Sequence, residues 1–180
     1  MTKKITIAID AMGGENAPNK NIEGISIFIN KSMDKDFFFN IYGDEKLINT
    51  ELKKFNISEK YYKIFHSQSV VMDDDSPLKS IKNSKNSSMW NSINSQIDNN
   101  SEISLSAGNT GVLFVISKML LKTIDGVTKP GLAGLWPSKK GKILVLDLGA
   151  NIECNEKNLV EFAEMGSALY KSLFPEKIIN

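Results

Sequence analysis

The sequence predicts an α/β fold, namely a doubly wound, mostly parallel sheet in a Rossmann-like three-layer arrangement. Short apolar runs alternate with longer segments whose apolar residues recur every three or four positions, which is typical of βαβ units. Three of the apolar runs end in a loop rich in glycine and small polar residues, and in a parallel sheet such loops gather at the carboxyl ends of the strands. A length of 180 residues suits one α/β domain spanning 1–180.

The first part of the chain predicts three strands and two helices. Isoleucine-rich 4–10 and phenylalanine-rich 37–42 have the composition of buried strands, because β-branched and aromatic residues favour strands. Isoleucines at three- and four-residue spacing predict a helix over 19–31. A second helix over 45–55 follows a Gly-Asp turn, and 61–65 is a weaker third strand.

The rest of the chain continues the alternation. The same criteria predict a helix at 79–97 interrupted near 86–88, a strand at 103–106, a helix at 110–121, strands at 132–136 and 142–148, and a helix at 158–173. The final residues resemble the start of another apolar strand, so we expect the sheet to be incomplete at its C-terminal end.

Composition excludes several classes of protein. A net charge of +1, without a basic stripe interleaved with aromatics, gives no reason to expect a nucleic-acid partner. A single cysteine, Cys154, cannot form an internal disulfide. The N-terminal apolar run is too short to predict a signal peptide, and no stretch predicts a membrane span, so we expect a cytoplasmic protein. His66 has no partners at metal-ligand spacing, and no metal is expected.

The segment 104–111 (Ser-Leu-Ser-Ala-Gly-Asn-Thr-Gly) is the most informative motif, because it lies between a strand and a helix. Backbone N–H groups at a helix N-terminus favour an anion, so this turn predicts a phosphate-bearing or phosphate-like ligand. Two further turns, 10–14 and 147–151, also follow apolar strands. We therefore expect Asp10, Ser106 and Asp147 to lie near one rim of the sheet.

Each motif also has a purely structural interpretation. Asn109 is a common helix N-cap and Gly108 a common turn glycine. The carboxylates of Asp10 and Asp147 can bind turn amides or cap the next helix. Ser87 and Ser88 can mark the start of a helix rather than a ligand contact.

Five blocks, in order, resemble one family: AIDAMGGENAP, SPLKSIKNSKNSSM, LSAGNTGVL, LVLDLGANIEC and EFAEMGSALY. Over about 5–170 the chain resembles the bacterial phosphate acyltransferases of phospholipid synthesis, as the N-terminal portion of a longer protein. The resemblance implies acyl transfer from acyl-acyl-carrier protein to inorganic phosphate, giving acyl phosphate without a cofactor. It further implies a homodimer and peripheral membrane association, through parts that this chain lacks.

This resemblance also assigns the candidate residues. The catalytic set is Asp10, Asn109 and Asp147. The set expected to bind substrate or phosphate is Gly13, Gly14, Lys82, Lys85, Ser87, Ser88, Ser106, Gly108, Thr110, Gly111, Gly149 and Asn151. Ser106, Asn109 and Thr110 would donate hydrogen bonds to phosphate, and the two lysines would offset its charge. The two aspartates would either orient N–H groups and lysines or accept a proton, and the sequence leaves both open.

Two other functions fit the same pattern. A dinucleotide-linked dehydrogenase shares this sheet architecture, but no strand-turn-helix in the chain carries G-x-G-x-x-G. A truncated, non-catalytic binding module would keep the fold without the reaction. The sequence leaves acyl chain length, the general base and the oligomeric state open.

Overall fold

The computed structural model describes residues 4–33, 36–77, 84–139 and 141–176. The chain divides into two compact units, Met1–Lys122 and Thr123–Asn180. Within the described residues, no helix is long and apolar enough to cross a membrane.

Over its described residues, the first unit contains four strands and four α-helices. In chain order they are β1 (Ile5–Asp10), α1 (Asn19–Lys31), β2 (Phe37–Gly43), α2 (Glu45–Lys54), a short 3-10 helix (Glu59–Tyr61), β3 (Tyr62–His66), α3 (Ser88–Ile97), β4 (Ile103–Ser106) and α4 (Thr110–Leu121). The predicted start of the third helix, 79–83, and the candidate residue Lys82 lie outside the described residues.

The four strands form one parallel sheet in the order β3-β2-β1-β4. The strand β1 is therefore central and β4 lies at an edge. In the register, Ile7 lies opposite Ile103, and Asp10 opposite Ser106, the last residues of their strands. The expected α/β fold with a parallel sheet is confirmed.

Helices cover both faces of this sheet, which gives three layers. On one face, Ile22 and Ile25 of α1 and Ile48 of α2 pack against strand residues that include Ile9 and Ile41. On the other face, α3 lies against the sheet, and the Ser104 hydroxyl donates to the Ser92 carbonyl at 2.6 Å. The residues that join α4 to α3 are Met89, Ile93, Val112 and Ile116.

The second unit contains the strands β5 (Ala133–Ser138) and β6 (Gly141–Leu146) and the helix α5 (Glu156–Leu173). The two strands pair with each other, antiparallel, in a separate two-stranded sheet. The expectation that they extend the parallel sheet is therefore wrong for these strands. A parallel pair needs a crossover of a dozen or more residues, whereas only 139–140 separate β5 from β6.

Candidate functional site

The carboxylate of Asp10 lies at the centre of the first unit's strand-end loops. It is 2 % exposed, and its Oδ1 accepts a hydrogen bond from the Met12 amide at 3.2 Å. Its Oδ2 accepts from the Ser106 hydroxyl at 2.7 Å. Because Asp10 and Ser106 are paired residues of adjacent strands, the sheet register itself brings them together.

Ser106 connects this carboxylate to the loop before α4. Its Oγ accepts a hydrogen bond from the Gly108 amide at 3.1 Å while its single proton goes to Asp10. In this arrangement Ser106 holds the loop, and it would have to release Asp10 before it could donate to phosphate.

The glycines of the two loops are required because the loops touch each other. A Cβ on Gly13 would lie 2.6 Å from Asp10 Oδ2 and 2.8 Å from the Gly108 nitrogen. Gly14 has φ +90°, and a Cβ there would lie 2.7 Å from the Ala107 carbonyl oxygen. A Cβ on Gly108 would lie 3.2 Å from Gly13 Cα. These glycines therefore serve the packing of loop against loop.

Asn109 uses both ends of its amide within the chain. Its Oδ1 accepts from the Val112 amide at 3.1 Å, so it is the N-cap of α4. Its Nδ2 donates to the carbonyls of Asp73 at 2.9 Å and Asp75 at 3.0 Å. The structural interpretation as a cap is confirmed, and the bonds to 73–75 were not foreseen, because residues 34 and 36 positions away give no local signal.

Two backbone amides at the N-terminus of α4 can donate hydrogen bonds to a ligand. The first bond closing the helix runs from the Leu113 amide to the Asn109 carbonyl at 2.9 Å, so the amides of Thr110 and Gly111 precede it. Thr110 is exposed, and its hydroxyl adds a donor beside them. A Cβ on Gly111 would lie 3.0 Å from Pro77 Cγ. This N-terminus has the donors that an anion needs.

The serine pair lies at the start of α3. Ser87 is the N-cap, and its Oγ accepts from the Trp90 amide at 3.1 Å, which confirms the helix-start interpretation. Ser88 is 1 % exposed, and its hydroxyl has no hydrogen-bond partner in the described part of the chain. Lys85 is exposed just before them. A Cβ on Gly108 would lie 3.1 Å from Met89 Cε, so the start of α3 adjoins the β4–α4 loop.

Asn21 is a further residue that the sequence did not reveal. Its Nδ2 donates to the carbonyls of Ala11 and Gly13, both at 2.9 Å. The side chain therefore ties the first turn of α1 to the loop after β1. A polar residue in the first turn of a helix is common, and nothing in its spacing distinguishes this one.

The predicted loop 147–151 lies in the second unit, directly after β6. Asp147 has φ +58°, and its Oδ1 accepts from the Asn151 backbone amide at 3.1 Å and from Asn151 Nδ2 at 2.9 Å. Its Oδ2 lies 3.7 Å from Cys154 Sγ. Gly149 has φ +79°, and a Cβ there would meet no atom within 4 Å, so backbone conformation alone requires glycine. The second unit thus holds its own aspartate-centred turn.

A buried carboxylate supports the same unit. Glu161 Oε2 accepts from the Thr128 amide at 2.9 Å and the Thr128 hydroxyl at 2.7 Å. Lys157 Nζ lies 3.8 Å from the other oxygen. The hydrogen bonds from Thr128 hold the pKa of Glu161 below its ordinary value of 4.5.

The first unit therefore brings together Asp10, Gly13, Gly14, Ser106 and Gly108. The turn formed by Asn109, Thr110 and Gly111 follows them directly, and the Ser87–Ser88 helix start adjoins the same loop. The second unit brings together Asp147, Gly149 and Asn151.

Comparison with known proteins matches this chain to one family. The model of a family described as fatty acid synthesis protein covers residues 5–177. The phosphate acyltransferase of Pelagibacter ubique is 47 % identical over 176 residues, which are 98 % of this chain and 52 % of that protein. The phosphate acyltransferase of Maricaulis maris is 36 % identical over 174 residues, 97 % of this chain and 50 % of that protein. The phosphate acyltransferase of Xanthobacter autotrophicus is 37 % identical over 175 residues, which are 97 % of this chain and 49 % of that protein. The chain spans about half the length of these curated relatives. Because the family model covers nearly all of this chain, the chain belongs to the fatty acid synthesis protein family.

Proposed function

We propose that the full-length protein transfers an acyl group from acyl-acyl-carrier protein to inorganic phosphate, giving acyl phosphate for phospholipid synthesis. The relatives named phosphate acyltransferase support acyl transfer in lipid synthesis. The observation that carries the proposal is the start of α4. There the amides of Thr110 and Gly111 are available to an anion beside the buried Asp10–Ser106 pair.

The reaction depends on the orientation of its two reactants and needs no nucleophile from the protein. A phosphate oxygen attacks the thioester carbonyl carbon, the new C–O bond forms, and the C–S bond breaks. The carrier leaves as a thiolate, which becomes a thiol by taking up the proton that hydrogen phosphate loses, by way of the proposed acceptor. Phosphate is already an anionic nucleophile, so positioning and stabilisation of the developing oxyanion supply the rate. We therefore propose no cofactor and no acyl-enzyme.

Each candidate residue then has a role. The amides of Thr110 and Gly111 and the Thr110 hydroxyl would hold phosphate oxygens, and Lys85 and Lys82 would offset the charge. Asp10 has both oxygens engaged by Met12 and Ser106, which favours a positioning role over proton transfer. Ser106 and Asn109 would hold the β4–α4 loop in the conformation that presents those amides.

The second unit's turn remains part of the proposal. Asp147, Gly149 and Asn151 are proposed site residues on the family resemblance, with Asp147 as the candidate proton acceptor. Its Oδ1 is engaged by Asn151, so Oδ2 is the oxygen proposed to act. Replacement of Asp147 with Asn in the full-length enzyme tests this role by a loss of turnover without a change in phosphate KM.

The family resemblance extends the proposal to location and assembly. We propose a cytoplasmic enzyme, consistent with the free, exposed thiol of Cys154. We also propose a homodimer, which sedimentation of the full-length protein measures. Peripheral association with the membrane surface is proposed too, and co-pelleting with vesicles measures it.

The deciding experiment follows thiol release from acyl-acyl-carrier protein with and without phosphate. We expect release only when phosphate is present, together with a product that hydroxylamine traps as a hydroxamate. Equally fast release without phosphate would identify a thioesterase and overturn the proposal.

A further inference from the structure

A groove of about 400 Å³ lies on the α1 face of the first unit, between α1 and the edge strand β4. Its apolar walls come from both elements and from the central strands, and they are formed by Ile7, Ile9, Ile25, Phe28, Phe39 and Leu105. Several of these side chains remain open to solvent, since Leu105 is 51 % and Phe28 45 % exposed. The volume is within the usual range of small-molecule sites, about 300–1,000 Å³.

The groove has a polar end where the strands finish. Its lining includes Asp10, Ser106 and Ala107 at the carboxyl ends of β1 and β4. Along β1, Asp10 follows Ile7 by three positions, a distance of about 10 Å at the rise of a strand. A ligand that follows the groove would thus have its apolar part along the strands and its polar part at the proposed reaction site.

Lys20 adds positive charge at the same end. Its Nζ pairs with Glu23 at 3.1 Å, but the lysine side chain is 63 % exposed, and exposed pairs of this kind are weak. The ammonium group is therefore available to a ligand at this end of the groove.

Gly24 lies in the interior of α1 and lines the groove. Glycine is unfavourable inside a helix, yet a Cβ at Gly24 would meet no atom within 4 Å. Its backbone is helical, so neither packing nor conformation requires glycine here. The absence of a side chain at Gly24 keeps the groove open at this position.

We propose that this groove binds the acyl chain of the acyl donor, with the thioester at the Ser106 end. The inference rests on the proposed acyl transfer. It identifies the subsite that selects for chain length, with apolar surface for the methylenes and the Lys20 ammonium at the end where the thioester and the attacking phosphate would lie.

The test replaces Gly24 with Leu in the full-length enzyme and compares donors carrying 4-carbon and 16-carbon acyl chains. We expect the ratio of kcat/KM for the long donor to that for the short donor to fall at least tenfold, on the order of 1.4 kcal/mol, because leucine fills the groove. Lys31→Leu is the matched control, since it adds the same side chain to an exposed position of α1 outside the groove. The control should leave the ratio unchanged.

A second variant guards against misfolding of the first. Leu105→Gln changes a half-exposed wall residue without touching the buried core, and it should lower the same ratio. If neither variant changes the ratio while both melt like the wild type, the groove does not hold the acyl chain, and another part of the protein covers it.

Direct binding separates this inference from the proposed function. Calorimetric titration with hexadecanoate should show binding to the wild type. Gly24→Leu should weaken this binding at least tenfold, whereas Lys31→Leu should leave the affinity unchanged. If wild-type protein binds hexadecanoate in this way but does not acylate phosphate, the proposed reaction is wrong and the groove assignment survives. If it acylates phosphate but hexadecanoate affinity is unaffected by Gly24→Leu, the groove assignment is wrong.

Discussion

The hydrogen bond between Ser106 and Asp10 joins two strand ends inside the protein, and its removal leaves a buried carboxylate oxygen without a partner. Loss of one partner from a buried pair costs about 1–3 kcal/mol. We expect Ser106→Ala to lower the free energy of unfolding by that amount. Chemical denaturation measures it, with Ser172→Ala, an exposed serine on α5, as control. A change no larger than in the control would contradict the role of the pair in holding the loops.

Asn109 has two separable tasks, capping α4 and clamping the turn at 73–75. Serine is as good an N-cap as asparagine, and losing the cap costs about 1 kcal/mol. Asn109→Ser should therefore be more stable than Asn109→Ala by about that amount, while both lose the clamp. If the clamp positions the Thr110 and Gly111 amides, both variants should show the same rise in phosphate KM. Wild-type KM in Asn109→Ser would make Asn109 a cap only.

Glu161 gives the second unit a dependence on pH. Its folded pKa lies below the ordinary value of 4.5 because Thr128 donates two hydrogen bonds to the carboxylate. The stabilisation is therefore complete above about pH 4.5 and is lost as the pH falls through the lower, folded pKa. We expect Glu161→Gln to melt at a lower temperature than the wild type at pH 7, with the gap narrowing toward pH 3. A gap that is constant with pH would contradict this account.

At the level of elements, the two strand-end loops depend on glycines that fit against each other. Gly14 has φ +90° and faces the Ala107 carbonyl, whereas Gly126 has φ +87° with open space around it. An alanine at either position bears the strain of a positive φ, at least about 1 kcal/mol. Only Gly14→Ala adds the clash, so it should destabilise the protein more than Gly126→Ala. Equal melting temperatures for the two variants would show that the loops can separate without cost.

The regular elements of the first unit could be predicted because their burial follows simple periods. Alternating isoleucines place β1 in the sheet, and the three- and four-residue spacing of Ile22, Ile25 and Ile29 places α1 on it. The antiparallel pairing of β5 and β6 was missed because apolar runs identify strands but not their partners. The bonds of Asn21 and Asn109 were missed for a related reason. They depend on where distant backbone carbonyls lie, and no local pattern in the sequence records that.

For the whole molecule, the resemblance identified the family, and the structure brings three of the five blocks together in the first unit. Two of them form the interlocking loops around Asp10 and Ser106, and a third begins α3 beside them. The chain divides into two compact units, and the single α/β domain over 1–180 stays a prediction.

Acyl transfer to phosphate also predicts how the enzyme responds to metal removal. Because the nucleophile is already an anion, and we propose that amides and lysines hold it, the proposed chemistry assigns no step to a metal. Incubation of the full-length enzyme with a chelator, followed by dialysis, should leave the rate unchanged. Loss of activity that a divalent cation restores would require a different mechanism.

The central claim is that a phosphate oxygen attacks the acyl carbonyl. Full-length enzyme supplied with acyl-acyl-carrier protein and phosphate labelled with ¹⁸O at every oxygen tests it most directly, by mass spectrometry of the acyl phosphate. The account predicts a product that retains all four labelled oxygens, because the bridging oxygen comes from phosphate. A product that has lost one labelled oxygen, or free fatty acid formed with no acyl phosphate, would contradict it.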